Sequence, residues 1–391
     1  MKTLLLAVCL CGCCINPSAQ ATPYRPASAD EVLEKLPTRL ESRNEIKALR
    51  QAAADSPANP QAAFALVRRY IETGRAESDP RYYGYAEAAL APWLNAAPPL
   101  PEALLLSATL HQGRHEFQAA LADLAAALAR QPRLAQAWLT RAVILEVQGD
   151  YPGALRNCLP LAKLAPALTA ATCVNSALSL SGQGASAFER LDGAVRALPD
   201  GDTAERQWAL TTLAEIAVRL GRFDEAERLF TAALGVKQRS AYLMAAYADF
   251  LLDSQHPEAV VRLLRDETRA DGLLLRLALA EQQLNTPELA QHVQALQDRF
   301  AASRLRGDTT HQGDEARFRL HLLHDPKTAL TLAQANWQAQ REPRDARIVL
   351  EAALAAGQPE AGHAVVEALA KSGLEDRRLA ELAKQIRGAA S

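Results

Sequence analysis

The sequence is poor in aromatic residues, which make up 5% of its 391 positions, and it has only two methionines. It shows no convincing run of alternating β-branched residues, so a sheet has little to be built from. Charge of neither sign dominates, with 43 basic residues against 45 acidic ones. No basic stripe stands out, and nucleic acid is not expected as a partner. No Ser-centred elbow, His-Glu-x-x-His pair or nucleotide loop is present. Ser181-Gly182-Gln183-Gly184 offers glycines without the Gly-x-Gly-x-x-Gly spacing or a preceding strand, and reads as a turn. An enzyme is therefore not expected, and no cofactor is implied. What is abundant is Ala and Leu, which favours helices.

The body of the chain is also short of cysteine. Four of the six cysteines (Cys9, Cys11, Cys13 and Cys14) lie in one N-terminal segment. There Lys2 precedes an apolar run from Leu4 to Ile15, Pro17 ends it, and Ala19-Gln20-Ala21 places small residues where a signal peptidase reads. Residues 1–21 are read as a secretory signal peptide cut after Ala21. The apolar run is too short to remain as a membrane span, so none is expected after its removal. A second reading is lipidation: Leu10-Cys11-Gly12-Cys13 resembles a bacterial lipobox with Cys13 as the acylated residue, although Cys11 departs from the pattern. The expected location is periplasmic, with an outer-membrane lipoprotein as the alternative.

Residues 22–40 form a Pro-punctuated lead-in that should be extended. From about residue 41 the chain is dominated by paired helical patterns. Gly221 to Leu234 is the most regular stretch. Gly221 and Arg222 close a turn, and Phe223, Ala226, Phe230, Ala233 and Leu234 then fall on one helix face. Two markers recur with one period. The small residue of the second helix is Ala86, Ala120, Ala154, Ala187, Ala226 and Ala259, spaced 34, 34, 33, 39 and 33. The closing proline is Pro98, Pro132, Pro166 and Pro199, spaced 34, 34 and 33. The extra residues before Ala226 fall around Pro199 to Asp202, a turn that tolerates insertion. The unit from Ala135 to Pro166 shows the pattern in full: Trp138 opens the first helix, Gly149-Asp150-Tyr151 makes the turn and Ala154 begins the second.

These residues resemble the tetratricopeptide repeat (TPR), in which Ala, three residues and Phe lead toward a closing Pro. The resemblance covers Pro60 to Leu264 well and the remainder loosely. It implies an all-α, right-handed superhelical solenoid of helix–turn–helix repeats. The array is expected over 41–300, with degenerate repeats and a capping helix over 301–391. In the latter part of the chain the recurring signal is Pro at the first helical position, at Pro257, Pro287, Pro326 and Pro359. Arg304 to Asp314 is the most loop-like stretch, and Leu374 to Arg387 should be a polar helix capping the open end.

Function follows from the same resemblance. It implies a non-enzymatic interaction scaffold in the cell envelope that holds a partner protein or peptide in a concave groove. The repeat register places Leu105, Thr109, Leu139, Val143, Thr172, Ser176, Trp208, Thr211, Glu215, Met244 and Ala248 on that groove. Receptors of this family that take chaperone tails use a Lys/Asn carboxylate clamp. Leu139 and Val143 stand at clamp-like positions here, which disfavours that ligand. An apolar helix or extended peptide fits better, although Trp208 also suits a seam between repeats. The register puts Cys158 and Cys173 on helices that should touch, so they are either a disulfide or two small buried thiols. His321, His324, Asp325 and the more distant His311 are the single cluster of metal-ligand types. A metal-dependent function around His311–Asp325 is the remaining alternative, but the ligand set is incomplete and no metal site is expected.

The register carries its own test. Ala226→Leu should overpack a helix seam and cost about 1–3 kcal/mol. An unchanged melting temperature would show that Ala226 does not lie at a seam.

Overall fold

The structure is a computed structural model that describes residues 28, 40–77, 79, 81–198, 203–236 and 240–389. The leader at 1–21, the Cys13 site, the Pro199–Asp202 turn and all of the lead-in except Ser28 and Leu40 lie outside them. Among the described residues there are helices and no strands.

The chain divides into Met1–Asn44 and Glu45–Ser391. Of the first unit the structure describes Ser28 and the opening turn of α1 (Leu40–Asp55). The second unit is a run of helix pairs. α2 (Pro60–Glu77) packs with α3 (Arg81–Leu94), and α4 (Pro101–Gly113) with α5 (Phe117–Arg130). Next, α6 (Ala135–Val147) packs with α7 (Tyr151–Cys158), which is extended by the short α8 (Leu161–Leu164). α9 (Ala167–Ser179) then packs with α10 (Gly184–Arg196), and α11 (Ala204–Leu220) with α12 (Phe223–Leu234). α13 (Ala241–Asp253) packs with α14 (Pro257–Leu264), α15 (Asp271–Leu284) with α16 (Leu289–Leu305), and α17 (Gln312–His321) with α18 (Pro326–Ala339). Finally α19 (Pro343–Ala355) meets a 3₁₀ turn at Pro359–Gly362 that leads into α20 (His363–Ser372), and α21 (Arg377–Ala389) packs back on α19. This is the all-α solenoid of TPR-like pairs that the resemblance implies.

Local chemistry explains the boundaries. Asp150, Thr203, Ser240 and Asp325 each cap a helix N-terminus by accepting a hydrogen bond from a backbone N–H in the first turn. Pro257, Pro326 and Pro343 stand at the first helical position, where a missing N–H costs nothing. Pro287 does not: it lies in a turn two residues ahead of α16. α16 also continues through position 300 to Leu305, so a boundary at 300 falls inside a helix, and the loop is confined to Arg306–His311.

The small residues of the second helices set the packing. Ala86, Ala120, Ala154, Ala187 and Ala226 are each 0% exposed. With only a methyl group at these points, neighbouring helices approach closely. At the sixth position the register slips by one: Ala259 is half-buried, and Val260 takes the fully buried place. The apolar core follows the stack, and its largest section runs from Leu168 to Phe318.

The last pairs do not trail away from the first ones. Gln340 Nε2 donates to a ring nitrogen of His115 at 2.8 Å. Arg341 N–H donates to Val147 O at 2.7 Å, and Tyr151 O–H reaches Arg341 O at 3.4 Å. Glu375 accepts from Ala185 N–H at 3.0 Å, and Arg347 grips Asp253 with two bonds of 2.6 and 2.8 Å. α21 therefore does not cap an open end in solvent. Its Leu379, Leu382, Ala383 and Ile386 are buried, and Arg377 at its start lies against the turn at Gly221.

Two glycines make this return possible. Gly182 has φ +78°, and a Cβ there would lie 3.2 Å from Gly373 O. Gly373, at φ +68°, faces it across the same gap. Gly182→Ala should cost about 2 kcal/mol or more, since it adds left-handed strain to a steric clash. Gly193, inside α10 with open space around it, is the control. Gly193→Ala should raise stability by about 0.5–1 kcal/mol. Chemical denaturation of the two variants checks the contrast.

Candidate functional site

The sequence places its groove residues mainly on first helices, and the structure divides them. Val143, Ser176, Trp208, Thr211 and Glu215 line a common cavity of about 2050 Å³ within the second unit. Leu105, Thr109, Leu139, Thr172 and Met244 do not line it. Leu105 is packed with Phe117, Leu124 and Ile144 between successive pairs. Met244 and Ala248 belong to the largest core section. The Thr172 hydroxyl is fully buried and donates to Leu168 O at 2.8 Å. Thr109 likewise turns its hydroxyl onto its own helix, at Leu105 O. Leu139 packs against the cluster around Cys158 and Cys173. The physical reason is the stacking geometry: these side chains are consumed by the next pair before they can reach a groove.

The cavity has two kinds of wall. Val143, Val147, Trp208, Ala245 and Ala246 give it an apolar stripe. Glu342, Arg344 and Arg347, from the start of α19 and the residue before it, form part of another side. The groove expected to stand open is therefore faced by the chain's own C-terminal pairs.

Its carboxyl groups fall into two sets. Asp249 is clamped by Arg276 at 2.7 Å and Arg317 at 2.5 Å. Against the cost of burial, these guanidinium groups hold its carboxyl below the usual carboxylate range. Arg276 is itself 4% exposed and also donates to Ala245 O and Gly272 O, so this knot is structural. Glu146 and Glu215 differ, because each is held by a hydroxyl rather than a cation. Ser176 Oγ donates to Glu146 at 2.6 Å, and Tyr242 O–H donates to Glu215 at 2.6 Å. Burial pushes the Glu146 carboxyl up to about 7 against the pull of the Ser176 bond, and the nearby Glu342 charge adds to the rise. Burial likewise raises Glu215, and raises Tyr242 well above the ordinary phenol range with help from Glu215. Tyr242 is 48% exposed, and its place in the lining turns that surface toward the cavity.

Glu215 was legible as a groove residue through the repeat register. Glu146, Tyr242 and Arg344 were not. The one available signal was a carboxylate inside the apolar run Ile144-Leu145-Glu146-Val147. The wall at Glu342 to Arg347, more than eighty residues past the last marker at Ala259, left no signal at all.

The other singled-out residues are placed as follows. His321 Nε2 faces Glu351 at 3.3 Å, and Glu351 is already bonded to Arg347 and Arg378. His321 and His324 border a smaller cavity, whereas His311 lines the large one. The structure does not bring the three together, and among the described residues no group of three or more His, Cys, Asp or Glu side chains is arranged to hold a metal ion. No helix among them is long and apolar enough to cross a membrane. Cys158 and Cys173 are joined as a disulfide with a Cα–Cα distance of 5.6 Å, linking α7 to α9.

No protein-family profile and no curated protein matches the chain. Among solved structures it is similar to a tetratricopeptide repeat protein from Parabacteroides merdae, at 14% identity, 73% of this chain, 98% of that one and a TM-score of 0.37. It is also similar to a monomeric mutant of IFIT1 with Gppp-AAAA, at 15% identity, 90% and 87% coverage and a TM-score of 0.45. The Cut9–Hcn1 hetero-tetramer of APC/C is a third, at 12% identity, 89% and 93% coverage and a TM-score of 0.33. The helix-pair fold described above is TPR-like on its own geometry. Nothing about ligand or partner passes to this chain from these likenesses.

The disulfide closes a separation of 15 residues. Cys158→Ser/Cys173→Ser should lower stability by about 3 kcal/mol on the loop-entropy estimate. Peptide mapping should find both cysteines protected from alkylation until reductant is added.

Proposed function

We propose that the protein is a non-enzymatic interaction scaffold of the cell envelope, exported to the periplasm, which holds a segment of a partner protein in its interior cavity. The cavity carries this reading. At about 2050 Å³ it exceeds the roughly 300–1,000 Å³ of small-molecule pockets. Its apolar stripe around Trp208 and Val143 offers an anchor for a side chain of the partner. The hydroxyl–carboxyl pairs Ser176–Glu146 and Tyr242–Glu215 offer polar groups whose geometry is already fixed. Stacked helix pairs commonly present such concave surfaces to other proteins. The disulfide and the signal-like leader support export, because disulfides persist in oxidising compartments. Acylation at Cys13 would hold the same scaffold at the outer membrane.

The mechanism is presentation. A preorganised wall loses little freedom on binding, so the partner segment bears most of the ordering cost. Entry must also contend with the C-terminal pairs, which share the cavity with the repeats.

The test is crosslinking and capture from intact cells with Val143→Arg, which places a bulky charge on the apolar stripe. Leu159→Ala, at an exposed side chain outside the lining, is the control. Both must first show the wild-type melting curve. Recovery of a specific partner should fall at least about tenfold for Val143→Arg and stay unchanged for the control, a loss near 1.4 kcal/mol or more. Equal recovery from both would remove the cavity as the site.

A further inference from the structure

The turn between first and second helix recurs with the repeat, and the C-terminal pairs touch it in five successive pairs. At the α4–α5 turn, Gln340 Nε2 donates to the His115 ring at 2.8 Å. At the α6–α7 turn, Arg341 N–H donates to Val147 O at 2.7 Å, and a Cβ on Gly149 would lie 3.4 Å from the Arg341 side chain. At the α9–α10 turn, Gly373 faces Gly182, and Glu375 accepts from Ala185 N–H at 3.0 Å. A Cβ on Gly184 would lie 2.7 Å from that carboxylate, so the bare backbone there leaves it room. Arg377 lies against Gly221 at the α11–α12 turn, where a Cβ would be 3.3 Å from it. Arg347 holds Asp253 at the end of α13 with bonds of 2.6 and 2.8 Å.

The row is polar, and the apolar cores behind it stay separate. The C-terminal core runs from Ala316 to Ile386 and takes in no residue from the earlier pairs. The largest core ends at Phe318. α17 contributes to both, with Phe318 in one and Ala316 and Leu320 in the other. Hydrogen bonds and part-exposed ion pairs that break on opening are replaced by bonds to water at small net cost. Pulling apart an apolar core has no such compensation. The row of contacts is therefore the cheap place for this molecule to part, and both cores survive its release.

We propose that the C-terminal pairs are a clasp that docks on the row of turns, closes the cavity in cis, and swings on α17 to admit the partner segment. The docked clasp supplies Glu342, Arg344, Arg347, Asp376, Arg378 and Leu379 to the cavity lining. A segment entering from outside meets that wall first. The closed state then acts as an internal competitor, and apparent affinity scales with the fraction of molecules that are open. The clasp stands on the contacts above, whereas its gating of a partner rests on the scaffold reading.

Hydrogen exchange of the full chain, read by mass spectrometry at single amides, tests the clasp. Ala185 N–H and Arg341 N–H each bond across the row, so both report its release. Raising salt from about 20 mM to about 500 mM shortens the screening length several-fold, and protection of both amides should fall together, by about tenfold. Asp253→Ala removes the partner of Arg347 and should lower protection at both by a similar factor, although it touches neither. Glu375→Ala should do the same at Arg341, and serves if Asp253→Ala fails to fold. Amides of α19 from Val349 to Ala353 should keep their protection throughout, because the C-terminal core stays closed. Loss confined to the mutated contact, loss that extends into α19, or no response to salt would overturn the clasp. In the capture experiment above, Glu375→Ala should raise partner recovery several-fold. Unchanged recovery, with the wild type still capturing its partner, would overturn the gating. The exchange measurement needs no partner, so failure of the clasp and failure of the scaffold reading are told apart.

Discussion

Close approach between helices is the constraint from which the rest follows. A second helix lies closest to its neighbours where its contact residue is no larger than a methyl group. Ala86, Ala120, Ala154, Ala187 and Ala226 supply that contact at nearly constant intervals, all fully buried. Each seam fixes how one pair is rotated on the last, and the accumulated rotation decides what the far end of the stack will meet. Here it meets the turns at His115, Gly149 and Gly182. The cavity, its Arg344 wall and the contacts of Arg341 are all products of that accumulated geometry.

The same constraint explains how much the sequence could reveal. The period of the alanines and closing prolines is a property of single pairs, and it was readable through Ala226. The first helices were placed well, and α13, α15 and α19 each contain the apolar run that predicted them. Groove positions were half legible. Val143, Ser176, Trp208 and Glu215 line the cavity, Thr211 borders it with its hydroxyl turned onto Gln207 O, and Leu105 and Met244 are buried by the next pair. A repeat register says which side of a helix faces the neighbouring pair or the groove, but not where the seam ends and the groove begins. That limit depends on side-chain sizes in two pairs at once.

The meeting of distant segments was not legible. His115 and Gln340 are 225 residues apart, and no local pattern couples them. Pro287 and the helix running through position 300 show a milder form of the difficulty. Where repeats drift, punctuation residues keep their local preference, but the tertiary context moves helix ends by several residues. The polar character of Glu375 to Arg378 was read correctly, yet part of its reason was missed: Glu375, Arg377 and Arg378 are exposed, but Glu375 also accepts from Ala185 N–H and Arg377 lies against the turn at Gly221.

The return of the C-terminal pairs changes how the stack holds together. In an open array each pair touches only its neighbours, and the end pair can fray at the cost of a single interface. Here the terminal pairs have a second set of contacts far away in sequence, through Arg341, Arg347 and Glu375. Fraying from that end must break two sets at once, so the array gains a cooperativity that nearest-neighbour stacking alone does not give. The kinetic counterpart is a late step. The pairs can form one after another as local units, but the interior has its C-terminal side only after the last helices arrive, and bringing such distant segments together is slow.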